Sequence, residues 1–249
     1  IIYIETPANP TMDIVDIAKV SALAESNNAW TYIDNTFATP YNQRPLSLGA
    51  DVVLHSTTKY LNGHGTVIGG AAITRHPDFF HPRKDRFFMA SKVFGGSASP
   101  FDTWITNIGL KTFELRMQRH NENAAIAANW LEDHPKVSKV YFPGLENFPG
   151  HELADQQMFN GFGGMLSFEM AGGFGASVKL MESLQMITLA VRLGNVDSLI
   201  QHPGSMTHAA MSPEDRLEFG ITDSLIRFSV GIENIEDVIE DFDQALAKI

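Results

Sequence analysis

The sequence predicts an α/β protein: a mostly parallel sheet in a first, larger domain and a smaller α+β domain after it. Three observations predict this. Short runs rich in β-branched and aromatic residues alternate with helically spaced apolar residues over 1–74. A long helical stretch fills 101–133, and strand-like and helical segments then alternate to the end. The boundary is expected near residue 112, which divides the chain into 1–111 and 112–249.

The elements follow in order. Residues 1–5 read as a buried strand. A helix is expected from about Ile14, with Asp13 as its N-cap and Ile14, Ile17, Ala18 and Ser21 along one face. Residues 30–34 and 51–55 are the next strands, and 67–74 a further one, with Gly69 and Gly70 permitting close backbone approach. Trp104, Ile108, Leu115, Ala124, Ala128 and Leu131 mark the helical stretch that joins the domains, broken at most once near Gly109. Strands are expected at 137–142, 165–169 and 225–230. The last helix covers 234–249, with Asn234 as cap and Ile235, Val238, Ile239, Phe242 and Leu246 as one stripe. No internal repeat or low-complexity segment interrupts this order.

Composition narrows the function. Of 249 residues, 44% are hydrophobic and 19% charged, an ordinary globular balance. A formal net charge of −11 argues against a sequence-independent grip on a nucleic-acid backbone, so any phosphate bound should be small and locally held. The absence of cysteine excludes a disulfide framework and a Cys-based zinc site. No apolar run approaches the roughly 20 residues that span a bilayer, so a soluble protein without a membrane partner is expected, with the cytoplasm as its compartment. The chain opens on a strand already in progress, with no initiator Met, and reads as a piece whose N-terminal part, with any targeting signal, is missing.

Four segments could carry chemistry. Residues 51–60 are a buried strand ending in Ser56, Thr57, Thr58 and Lys59. In open α/β sheets ligands sit beyond the carboxyl ends of strands, where this cluster falls. A buried lysine can lose its proton and condense with an aldehyde, which an arginine cannot do, and Ser56 and Thr58 offer hydroxyls to a phosphate. A surface lysine after a strand, with hydroxyls satisfying a turn, has the same look. The preceding strand ends in Asp34, a carboxylate suited to keeping a pyridinium nitrogen protonated, as pyridoxal phosphate (PLP) requires, or simply to capping its loop. Asn9, between Pro7 and Pro10, is held over the same edge and can donate to a ring oxygen or a carboxylate; equally it is a turn residue. In residues 225–230, alternation puts Leu225, Arg227 and Ser229 on one face. The Arg227 guanidinium matches the α-carboxylate of an amino acid, or an internal Asp or Glu. Nine histidines show no metal-ligand spacing, so no metal is assigned, and no dinucleotide fingerprint follows a strand.

Together these segments resemble the Cys/Met-metabolism family of PLP enzymes, the trans-sulfuration enzymes, over essentially the whole chain. The matching stretches are 5–10, 34–40, 46–51, 55–64, 150–152, 161–164, 205–208 and 227–233. The resemblance implies the PLP-dependent aminotransferase-like fold (fold type I), with 1–111 the C-terminal part of the large PLP domain and 112–249 the small domain. It implies that Lys59 is the Schiff-base and catalytic lysine, that Asp34 pairs with the ring nitrogen, that Ser56 and Thr58 meet the phosphate, that Asn9 lies near the ring oxygen and substrate, and that Arg227 grips the substrate carboxylate. A PLP-dependent carbon–sulfur lyase acting on a sulfur amino acid is implied, and a homotetramer built from dimers. Residues 40–45, 99–101 and 201–203 are most similar to the branch that eliminates the γ-substituent of methionine, to give 2-oxobutanoate, ammonia and a thiol. Cystathionine γ-synthase, the cystathionine γ- and β-lyases and O-acetylhomoserine sulfhydrylase are the alternatives within the family; an inactive homologue or fragment that only binds or assembles is the alternative outside it. Arg192 departs from the family, which commonly has Ser there beside the substrate carboxylate, and is a further substrate-binding candidate. The missing part would supply a Gly-rich phosphate loop, a Tyr stacked on the ring, and an arm reaching a neighbouring subunit.

Overall fold

The computed structural model describes residues 1–80 and 86–249. The first elements are β1 (Ile2–Glu5), α1 (Ile17–Ser26), β2 (Thr31–Asp34), the single turn α2 (Thr39–Asn42), β3 (Val52–Ser56) and β4 (Gly70–Thr74). They build a four-stranded sheet in the order β1-β2-β3-β4, parallel through the first three and closed by an antiparallel β4. Glu5 pairs with Asp34 and Asp34 with Leu54, so the carboxyl ends of three strands share one edge. Between β1 and β2, α1 crosses over and packs Ile17 against Ile33 and Ala50.

Two expected boundaries move. Helix α1 starts at Ile17 because Asp16, rather than Asp13, is its N-cap, accepting the Lys19 N–H at 2.9 Å. Asp13 instead receives the Thr11 hydroxyl, and the Val15 N–H donates to Thr6 Oγ1 at 3.0 Å, which holds the intervening residues out of the helix. Strand β4 starts at Gly70, not 67, because the Gly69 N–H and carbonyl are already taken by Thr58 and Thr57.

Three helices follow: α3 (Arg86–Val93), α4 (Pro100–Leu110) and α5 (Phe113–Glu132). The helical stretch breaks once, just after Gly109, whose missing side chain lets α4 lie against the Asn62 carbonyl. Beyond it come β5 (Val137–Tyr141), α6 (His151–Gln157), β6 (Met165–Met170), α7 (Gly173–Ser183), β7 (Thr188–Leu189), β8 (Leu199–Gln201), α8 (Pro213–Glu218), β9 (Leu225–Ser229) and α9 (Ile235–Leu246). Their five-stranded sheet has the order β5-β6-β9-β8-β7, antiparallel except between β7 and β8. The two short strands β7 and β8 were not expected.

The main core lies between this sheet and helices α5, α7 and α9. Phe242 on α9 meets Phe168 and Phe228 edge-on, at centroid distances of 6.1 and 5.1 Å, the favoured geometry for packed rings. Val238, Phe242 and Leu246 are buried as the α9 stripe requires. Asn234 occupies the N-cap position without a side-chain capping bond, and the helix ends at Leu246. Met12, Phe37 and Tyr60, from the amino-terminal part, enter the same core.

Candidate active site

The loops that leave the parallel strands converge at their shared carboxyl edge. Asp34, the last residue of β2, is half-buried, with each oxygen held. Oδ1 accepts the Thr36 N–H at 3.0 Å and the Thr36 hydroxyl at 2.6 Å, and Oδ2 accepts from the Tyr3 hydroxyl at 3.2 Å. Thr36 Oγ1 in turn accepts the Ser56 N–H at 2.9 Å, which ties the end of β3 to the carboxylate. This places Asp34 one strand away from the lysine turn and level with Leu54, while the buried His55 is turned to the opposite face by strand alternation. Burial lowers His55 to about 4 and keeps it neutral.

Past β3 the chain makes a tight turn. The Lys59 N–H donates to the Ser56 carbonyl at 3.2 Å, and the Lys59 carbonyl accepts from Gly63 at 2.7 Å. Lys59 itself is half-buried, and its amine is less basic than usual, first because burial penalises its charge and then because Arg227 and Arg192 are near. Among the described residues the Ser56 hydroxyl has no hydrogen-bond partner. Thr58 differs: its hydroxyl donates to the Gly69 carbonyl at 3.3 Å and accepts the Gly69 N–H at 3.0 Å, so much of its capacity is spent on the fold.

Arg227 reaches this edge from the middle of β9. It is 2% exposed, and among the described residues no carboxylate lies within 4.0 Å of it. Its partners are neutral acceptors: Asn9 Oδ1 at 3.1 Å, the Val191 carbonyl at 3.0 Å and the Arg192 carbonyl at 3.2 Å. The Gln201 amide also faces the guanidinium, its oxygen accepting at 3.1 to 3.3 Å in the orientation that satisfies both groups. Burial lowers Arg227 to about 10, still cationic at neutral pH. Among the described residues no close salt bridge explains an arginine in this strand, although the Glu5 carboxyl is near enough to favour its charged form. Because Asn9 gives its oxygen to Arg227, its amide hydrogens remain available as donors. Ser229, on the Arg227 face of β9, accepts the Gly194 N–H at 2.9 Å.

Sequence reasoning missed Glu5, which closes β1 directly opposite Asp34. Burial and the Asp34 charge raise its carboxyl to about 7, against an Asn9 N–H bond and the Arg227 charge, which favour ionisation. An acid at the tip of the strand beside Asp34 was a readable signal. No group of three or more His, Asp or Glu placed to hold a metal ion occurs among the described residues, and no described helix is long and apolar enough to cross a membrane.

The Cys/Met metabolism PLP-dependent enzyme family model matches residues 1–247. An L-methionine γ-lyase of Fusobacterium nucleatum subsp. polymorphum is 50% identical over 250 residues, covering 100% of this chain and 62% of that protein. A cystathionine β-lyase of Coxiella burnetii is 46% identical, covering 98% of this chain and 62% of the relative. The crystal structure of cystathionine γ-lyase from Lactobacillus plantarum complexed with L-serine superposes with a TM-score of 0.94 at 44% identity, covering 99% of this chain and 63% of that one. The chain thus spans a little over three-fifths of the length of the relatives it matches. Its architecture is the fold type I arrangement of these PLP-dependent enzymes. With the family motif and the clustered edge residues agreeing, the chain belongs to the Cys/Met metabolism PLP-dependent enzymes, whose cofactor is pyridoxal 5′-phosphate.

Proposed function

We propose that this protein is a PLP-dependent carbon–sulfur lyase whose preferred reaction is γ-elimination of methionine, giving 2-oxobutanoate, ammonia and a thiol. The observation that carries the reading is the meeting of Lys59, Asp34 and the Asn9–Arg227 pair at one sheet edge. The residues suit the cofactor. Asp34, anchored by Thr36 and Tyr3, would pair with the ring nitrogen, Ser56 keeps a free hydroxyl that would meet the phosphate, and Asn9 keeps free amide donors that would meet the ring oxygen. Thr58 would join the phosphate only by sharing a hydroxyl that Gly69 already holds.

When bound, PLP withdraws electrons from the substrate Cα and so makes its proton removable. Lys59 would hold the cofactor, and its Nζ would take the Cα proton. Its depressed basicity keeps a larger neutral fraction available for this step. The same amine moves protons again when Cβ is activated and the γ-substituent leaves. Arg227 binds the α-carboxylate, and its two main-chain acceptors and Asn9 fix its plane so that Cα faces the lysine. Arg192 stands beside it as a further substrate contact. We place the domain boundary at 111–112, where α4 gives way to α5, and propose a cytoplasmic homotetramer.

A cystathionine γ-synthase, cystathionine lyase or O-acetylhomoserine sulfhydrylase would use the same cluster. Product analysis with methionine, cystathionine and O-acetylhomoserine in parallel separates them. Methanethiol and 2-oxobutanoate from methionine are the expected result; a new thioether from the acylated homoserine overturns it in favour of a synthase. Borohydride reduction should fix the cofactor on Lys59. An unmodified Lys59, with no turnover of any of the three substrates, would leave an inactive binding or assembly role instead.

A further inference from the structure

Arg192 sits on a loop pressed against the reactive lysine. A Cβ added at Gly194 would come within 3.1 Å of the Lys59 Cβ, and the Gly194 N–H is pinned to Ser229. The Arg192 carbonyl is fixed by Arg227 at 3.2 Å. From this anchored backbone the Arg192 side chain lies over the turn at residues 63–65, where a Cβ on Gly65 would fall 2.9 Å from a guanidinium nitrogen. The guanidinium is exposed, and among the described residues it has no hydrogen-bond or carboxylate partner. Asp197, the nearest acid in the chain, faces the Asn195 amide at 3.5 Å instead.

An exposed arginine needs no partner, so exposure alone decides nothing. Its position does. Arg192 is close enough to Lys59 to oppose its charge, and so is Arg227, which has no carboxylate within 4.0 Å among the described residues. An α-carboxylate neutralises Arg227 and leaves the exposed Arg192 free. A side chain such as that of methionine has no charge to offer it. One ending in a carboxylate would reach a planar cation whose main chain is already immobilised, which lowers the ordering cost of the contact.

We propose that Arg192 is a specificity-determining residue that binds a second carboxylate at the far end of the substrate side chain. Arg192 then extends the range of the cleft beyond methionine, strengthening the binding of amino acids with anionic side chains relative to what a Ser at this position would give. This rests on reading the cleft as the amino-acid site.

The test is a titration of the PLP-loaded full-length protein with L-2-aminoadipate and L-norleucine, one anionic and one neutral, followed through the cofactor's visible absorbance. The ratio of the two dissociation constants should shift about tenfold against aminoadipate in Arg192→Ser, stay near the original in Arg192→Lys, and shrink in the unaltered protein as salt is raised. An unchanged ratio in Arg192→Ser overturns the proposal while leaving the amino-acid site intact. Weaker retention of PLP with an unchanged ratio also overturns it, by assigning the guanidinium to the cofactor phosphate. If neither amino acid alters the absorbance of the unaltered protein, the amino-acid reading of the cleft falls, and the proposal with it.

Discussion

The two sheets divide the labour unequally. The parallel sheet encloses a small apolar cluster of its own, Ile17, Ile33 and Ala50, yet its edge gathers Glu5, Asp34, Ser56 and Lys59. The antiparallel sheet is buried against three helices and sends one charged side chain, Arg227, to the site. The parallel sheet is therefore the platform on which the groups of the proposed site are set out. The other is the mass against which the platform is fixed, through Met12, Phe37 and Tyr60. Parallel strands bring several loop starts to one edge, whereas an antiparallel sheet alternates strand ends and must deliver a residue from within.

The sharpest separation comes from Lys59→Ala. Turnover should fall by about 10²- to 10⁴-fold, the usual worth of a positioned acid–base group, while the urea midpoint stays where it was. A large loss of stability would mean that the lysine is structural. The converse is Phe228→Ala, in the buried centre of β9. It should cost about 3–5 kcal/mol, against about 0.5–1.5 kcal/mol for Ile33→Val in the small cluster. Both would be measured by urea denaturation, and equal costs would show that the two sheets share one core. Glu5 gives the comparison a pH dependence. Its carboxyl is raised from 4.5 to about 7, so the folded state holds a proton that the unfolded chain releases; its stabilising contribution is complete below pH 4.5 and is lost as pH rises towards 7. Glu5→Gln should flatten the fall in stability between those limits. A pH profile identical to that of the unaltered protein would place the Glu5 charge elsewhere.

The positions of Lys59 and Asp34 at the sheet edge were legible because strand ends in a parallel sheet are legible: the β-branched runs stop, and a polar residue follows. Arg227 was legible as a residue but not in its partners. Asn9 lies 218 positions away and the carbonyls at 191 and 192 about 35, and no local pattern announces a guanidinium satisfied by neutral oxygens. The start of α1 was misplaced because Asp13 and Asp16 are equally good caps in isolation, and a tertiary bond from Val15 to Thr6 chose between them. Strands β7 and β8 were missed because two or three residues cannot display alternation; they exist only as partners of β9. Thr58, expected at the phosphate, was already engaged by Gly69, a competition visible only once β4 is in place.

Gly194 has a bearing on how the lysine can travel. Main chain, not a yielding side chain, stands beside the root of Lys59, and it is moored at Ser229. With that root confined, the stem swings at its outer bonds, and the amine sweeps a narrow arc rather than a wide cone. The proton transfers proposed for Lys59, from one atom to its neighbour and back, would gain from so short an itinerary. Any residue larger than glycine at 194 would obstruct the path at its pivot.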